Sequence, residues 1–247
     1  VAPFVVYMLL NTLEPARPAP PKPAAEGAAE KPVDSRRGWL DLGIPYRYYP
    51  LVYTLKIALT GALMLALIRD YVAISWRLSP LAIAVGVVGV CLWIGITELR
   101  LEPRLLEPIG LGGLIQTGTR SAYNPLIELR DWPLLAYGFL AVRFLGLVIV
   151  VPIIEEFFLR GFLMRYITDQ KWWSVSLGAV SGTSIAVATA AAVAMHPAEM
   201  LAMLAWFLLV TWLMLRTQHL TDCVLAHATT NLLLGVYVLV SGDWTYL

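Results

Sequence analysis

The sequence predicts an all-α integral membrane protein, a polytopic bundle of about seven to eight membrane helices, and three observations predict it. Apolar residues make up 59% of the 247-residue chain and charged residues only 14%. Mean hydropathy is +0.71. A soluble domain carries about a quarter charged residues, so this chain has too much apolar side chain for one globular core and too little charge to cover it. Finally, the apolar residues come in runs close to the ~20 needed to cross a hydrocarbon core.

Taken in order, the predicted spans are Leu51–Ile68, Leu81–Thr97, Pro133–Pro152, Leu177–Met195, Leu201–Leu215 and Asp222–Val240. A further helix, Ile153–Ile167, follows Pro152 directly and carries charges in its middle. The chain opens on Val1 rather than Met, and Val1–Leu10 is too short to span. Residues 1–12 are therefore expected to be the tail of a truncated membrane helix. Residues 13–50 form a linker whose PARPAPPKPAAEGAAEKP run favours an extended chain outside the bilayer. Residues 51–132 supply two spans and an interfacial loop containing GLGGL, and residues 133–247 form the remaining membrane core.

If the spans alternate, Arg17, Lys22, Lys31, Arg36, Arg37, Arg47, Arg100, Arg104, Arg120 and Arg130 share one side. Arg69, Arg77, Arg165, Lys171 and Arg216 share the other. The richer side is expected to be cytoplasmic, with the C-terminus inside. A net charge of +1 with no basic run gives no reason to expect a nucleic-acid partner. Cys91 and Cys223 lack metal-ligand spacing and read as two small buried hydrophobes. Gly178 and Gly182 form a GxxxG pair ahead of a small-residue run, which predicts close helix packing.

Chemistry concentrates in the last hundred residues. Glu155, Glu156 and Arg160 sit in VVPIIEEFFLRGFL with no other polar company. A charge at bilayer depth costs about 2.5–3.5 kcal/mol on insertion scales, so such residues pair or face a wet cavity. Glu156 and Arg160 are i, i+4 and share a helix face. Glu155 is turned about 100° away and is freer to act on something else. His196 ends a small-residue helix and precedes Pro197, while His227 and Asn231 share a face of the last span. Read blandly, these are a structural ion pair, a helix-end histidine and interhelical hydrogen bonds. Arg143 lies mid-span and needs a partner, for which Glu155 or Glu156 would serve, placing it behind the site.

In combination they make a hydrolytic site. Water activation needs a base, a group to orient the water and donors for the developing oxyanion. Glu155 can be the base, His196 can hold the water, and His227 with Asn231 can be the donors. Zinc is the rival use of the same residues, with Glu155, His196 and His227 as three ligands, although HExxH is missing. A proton-coupled transporter could also use intramembrane Glu and His, but no second copy of either motif indicates an internal repeat. A non-catalytic membrane module that binds or regulates a partner is the remaining alternative.

Glu155-Glu156-x-x-x-Arg160, a lone His196 and His227-x-x-x-Asn231 resemble the three motifs of the CPBP family, the type II CAAX prenyl endopeptidase or Ras-converting-enzyme-like group. The resemblance covers roughly Pro133 to Val240. One position departs: the family usually has Phe four residues before its histidine, where this chain has Ala192. LEPIGL, VVPIIEEFFLRGFLMRY and HATTNLLLGVYVLVSGDW look like the bacterial CAAX-protease-related proteins that accompany exosortase systems. The resemblance implies a multi-pass enzyme of the bacterial inner membrane that hydrolyses a peptide bond of a membrane-associated protein. It assigns Glu155 and His196 to the water, His227 and Asn231 to the oxyanion, and Arg160 to positioning. It leaves open whether the peptidase is glutamate-based or metal-dependent, and it suggests an exosortase-type sorting system as a partner. Should Pro133–Pro152 and Leu177–Met195 both cross fully, Glu155 and His196 could fall about 30 Å apart. A kink at Pro152 or a partial crossing is therefore expected.

Overall fold

The computed structural model describes residues 1–15, 43–108, 110 and 122–247. The centre of the Pro/Ala-rich linker, most of GLGGL, and Arg17, Lys22, Lys31, Arg36, Arg37 and Arg120 lie outside them. The architecture is all-helical. Seven helices organise it: α1 (Ala2–Asn11), α2 (Tyr49–Ala66), α3 (Pro80–Glu98), α4 (Pro133–Thr168), α5 (Gly182–Ala194), α6 (Met200–Thr217) and α7 (Leu220–Ser241). Among the described residues five are long and apolar enough to cross a bilayer: α2 (with the turn before it), α3, α4, α6 and α7. The protein is thus a multi-pass membrane protein, and its described residues hold fewer full-length spans than the hydropathy runs suggest.

Two predicted elements account for the difference. Pro133–Pro152 and Ile153–Ile167 are not two helices but one, α4, of 36 residues. Leu177–Met195 does not form a full span. Ser176, Gly178 and Ser181 break it, a 3₁₀ turn takes Leu177–Ala179, and the helix that follows has 13 residues. At 1.5 Å per residue that is about 20 Å, well short of the ~30 Å core. Ser181 starts α5 by accepting a hydrogen bond from the Ser184 amide at 3.1 Å. Gly178 and Gly182 consequently share no helix face, and the GxxxG reading fails.

The tight crossing lies elsewhere. α3 runs along both α6 and α7, and Gly86 and Gly89 permit it. A Cβ on Gly86 would lie 2.6 Å from Thr229 Cβ and 2.7 Å from the Ala226 carbonyl, and one on Gly89 would lie 2.8 Å from Thr230 Oγ1. Cys223 is buried as expected, but Cys91 is exposed on the outer face of α3.

α1 is bound by charge. Lys56, 2% exposed on α2, pairs with Glu14 and donates to Asn11 Oδ1 at 2.9 Å and the Tyr7 hydroxyl at 3.3 Å. Phe4 then stacks on Phe158 of α4 with centroids 4.0 Å apart. Lys56→Met is expected to free α1 from the bundle, because losing a charge-assisted hydrogen bond costs about 1.5–3 kcal/mol. Limited proteolysis in detergent will read this as faster cleavage near residues 10–15.

Candidate active site

The site grows out of an irregularity in α4. Its ladder is α-helical over Pro133–Leu145 and widens to a π-helical turn at Gly146–Val150, where the Val151 amide bonds to Gly146, five residues back. In that register the next donor, for the Leu147 carbonyl, would be residue 152, which is proline and has no N–H. The orphaned carbonyl is instead taken by the side chain of Asn231, whose Nδ2 lies 2.8 Å from it. Pro152 does not split the element. It leaves one carbonyl for α7 to find, and π turns of this kind concentrate at functional sites.

One turn further, Glu155 and Glu156 are both buried, and a second π turn spans Leu159–Leu163. Glu156 and Arg160 form the ion pair that their spacing predicted. The other Glu156 oxygen accepts from Nδ1 of His227 at 3.0 Å. A carboxylate can only accept here, so Nδ1 carries a proton and Nε2 faces away from Glu156. Arg160 is fully buried and is held further by Phe207 O at 2.9 Å, Thr211 Oγ1 at 3.3 Å and the Phe207 ring at 4.1 Å. This is a paired and hydrogen-bonded charge cluster inside hydrocarbon, the condition under which such charges persist.

His227 is also held from its side. The Trp206 ring meets it edge-on at 4.6 Å, and Trp206 Nε1 donates to Thr230 Oγ1 at 3.1 Å. Thr230 shares its own hydroxyl proton between the carbonyls of Gly86 at 3.0 Å and Ala226 at 3.1 Å. Trp206, Phe207, Thr211 and Thr230 thus set the orientation of Arg160 and His227. Sequence reasoning missed them, because nothing in MLAMLAWFLLVTW, or in the threonines of HATTN, separates such residues from ordinary packing.

His196 follows α5 and bonds through Nδ1 to the Ala192 carbonyl at 3.1 Å, with the Trp93 ring nearly perpendicular to it and the ring centroids 5.8 Å apart. Ala192 is fully buried. The aromatic neighbour of His196 is therefore supplied by α3 and not by the position four residues upstream. Gly89, against Trp206, and Trp93, against His196, are one turn apart on α3, so one helix face links the surroundings of both histidines. Ile154 and Phe158, on either side of the Glu pair, and Met195, beside His196, join one apolar cluster.

Two expectations need correction. Arg143 does not pair with Glu156, one of its two expected partners, whose oxygens belong to Arg160 and His227. It is buried, donates to the Tyr123 carbonyl at 2.7 Å and lies between the rings of Tyr49 and Trp244, each 5.7 Å away. It ties the segment before α4 to the bundle. The three proposed zinc ligands also fail a fit test: among the described residues no three His, Cys, Asp or Glu side chains converge as a metal site.

No curated protein and no solved structure matches the chain. A family model does, over residues 137–233, a segment that contains all six candidate site residues and Arg143. That segment, with its π-turned helix, its buried carboxylate–arginine pair and both histidines, is similar to the type II CAAX prenyl endopeptidase, Rce1-like family.

Proposed function

We propose that the protein is an intramembrane endopeptidase that hydrolyses a peptide bond of a membrane-associated protein. The observation that carries this reading is the Glu156–Arg160–His227 cluster buried in apolar surroundings within an Rce1-like domain. A purely structural ion pair has no use for an imidazole oriented by the same carboxylate.

In this mechanism Glu155 takes a proton from water while His196, its Nδ1 fixed on Ala192, accepts the water's other hydrogen at Nε2. The water oxygen's electron pair forms a bond to the scissile carbonyl carbon, and the π pair of the C=O bond moves onto the carbonyl oxygen. His227 in its imidazolium form donates Nε2–H to that oxyanion, and the Glu156 carboxylate behind it stabilises the positive charge. Asn231 has one N–H committed to Leu147 and offers the other. Collapse of the intermediate breaks the C–N bond, and the proton held by Glu155 passes to the leaving amine. Glu156 and Arg160 act through His227 and are positioning residues.

The setting we propose is the bacterial inner membrane. A sorting partner of exosortase type rests on the resemblance of the flanking segments alone. The test compares membrane-protein termini by mass spectrometry in cells making wild type, Glu155→Ala or His227→Ala. New termini are expected only with wild type, with at least a 10²-fold loss in each variant. Identical termini in all three would remove the peptidase reading and leave a binding or regulatory module.

A further inference from the structure

Beyond this site, a groove of about 340 Å³ lies between the first π turn of α4 and the start of α7. Val148 and Ile153 of α4 and Val224 and Ala228 of α7 form part of its lining. Ile149, 49% exposed, and Leu78, 86% exposed, stand on its rim. The groove is thus continuous with the lipid-facing surface. Thr221 marks its outer end and Ala228 its inner end, seven residues of helix or about 10 Å apart.

The outer end is polar in one respect. Arg77 stands two residues before Ser79, which caps α3, so it lies at the level where a span meets the headgroups. It binds the buried Asp222 through Nε at 3.0 Å and Nη2 at 2.6 Å. Those bonds hold the guanidinium even more firmly charged than usual. Nη1 makes none of them, and the side chain is 43% exposed, so two N–H donors remain at the mouth. Trp76 flanks it with its indole N–H on the Tyr71 carbonyl at 3.0 Å.

A paired guanidinium that still offers two N–H donors at headgroup depth, above an apolar slot, fits an anionic head on a hydrocarbon tail. We infer that the groove holds an acyl chain of an anionic phospholipid, its phosphate on Arg77 Nη1 and its tail against Ile153 and Ala228. The tail then packs beside the turn that carries His227 and the turn whose carbonyl Asn231 holds. The bound lipid is part of the wall of the site. This inference does not depend on the peptidase reading.

The test uses the full chain in vesicles with phosphatidylglycerol carrying a diazirine on its acyl chain. Photolysis is expected to label the stretches 148–153 and 224–228. Ala228→Phe, which fills the slot, and the milder Ala228→Leu should each lower that labelling, the first at least tenfold. Arg77→Gln combined with Asp222→Asn keeps a neutral hydrogen-bonded pair and should erase the preference for phosphatidylglycerol over phosphatidylcholine. Thermal unfolding of each variant in detergent reports folding separately. Labelling that ignores Ala228→Phe in a folded protein overturns the inference. So does labelling at this groove by a lipid-bearing peptide that phosphatidylglycerol does not compete away, because the occupant is then substrate.

Discussion

Glu156→Gln is expected to lower proteolysis about 10²-fold, the lower end of the loss seen when an oxyanion donor is removed, because the donor stays but loses its charge. The amide oxygen can still accept from Arg160, so its NH₂ must face His227 and donate to Nδ1. The imidazole is then neutral with its proton on Nε2, so it still donates to the oxyanion but without the positive charge that the carboxylate stabilises. Stability falls as well, by about 3–5 kcal/mol, because Arg160 is left as an uncompensated buried charge. The two effects separate in Glu156→Leu combined with Arg160→Met. Removing both charges should restore most of the lost stability without restoring cleavage. Thermal unfolding in detergent and turnover of a cleaved membrane substrate measure the two. Wild-type turnover in Glu156→Gln would show that His227 does not act through this contact.

Gly86→Val should be the most damaging single change outside the charge cluster. Its Cβ would meet the Ala226 carbonyl at 2.7 Å, and backbone has little room to retreat. Overpacking costs typically about 1–3 kcal/mol and occasionally more. A clash with backbone on one side and Thr229 on the other belongs at the upper end. Ala226 immediately precedes His227, so relief by shifting α7 moves the imidazole away from Glu156. Gly95 on the same helix is the control: a Cβ there meets nothing within 4 Å. Gly95→Ala should be neutral or stabilise by up to about 1 kcal/mol through helix propensity. Equal melting temperatures for Gly86→Val and wild type would refute the close crossing.

The sequence made some of this site legible and hid the rest for physical reasons. The Glu156–Arg160 pair could be read because it depends only on helical spacing. The contact between Glu156 and His227 joins residues 71 positions apart, and no local pattern encodes it. Gly86 and Gly89 sit in an apolar run that reads as one featureless span, whereas the GxxxG of Gly178 and Gly182 is conspicuous and falls where Ser residues break the helix. Hydropathy identified the apolar material of α4 and α5 but not its division, since a π turn leaves composition unchanged. Of the expected kink at Pro152 or partial crossing, the second is met by α5, which is too short to span, while ahead of Pro152 the helix widens into a π turn.

The Leu147–Pro152–Asn231 arrangement also governs how this protein can be altered. A residue with an amide hydrogen at 152 would mend the ladder of α4 and leave the Asn231 side chain without its anchor. An aliphatic side chain at 231 would strand a carbonyl in oil. Neither position can be exchanged alone without loss, so any chimaera or redesign must move the proline and the asparagine as a unit.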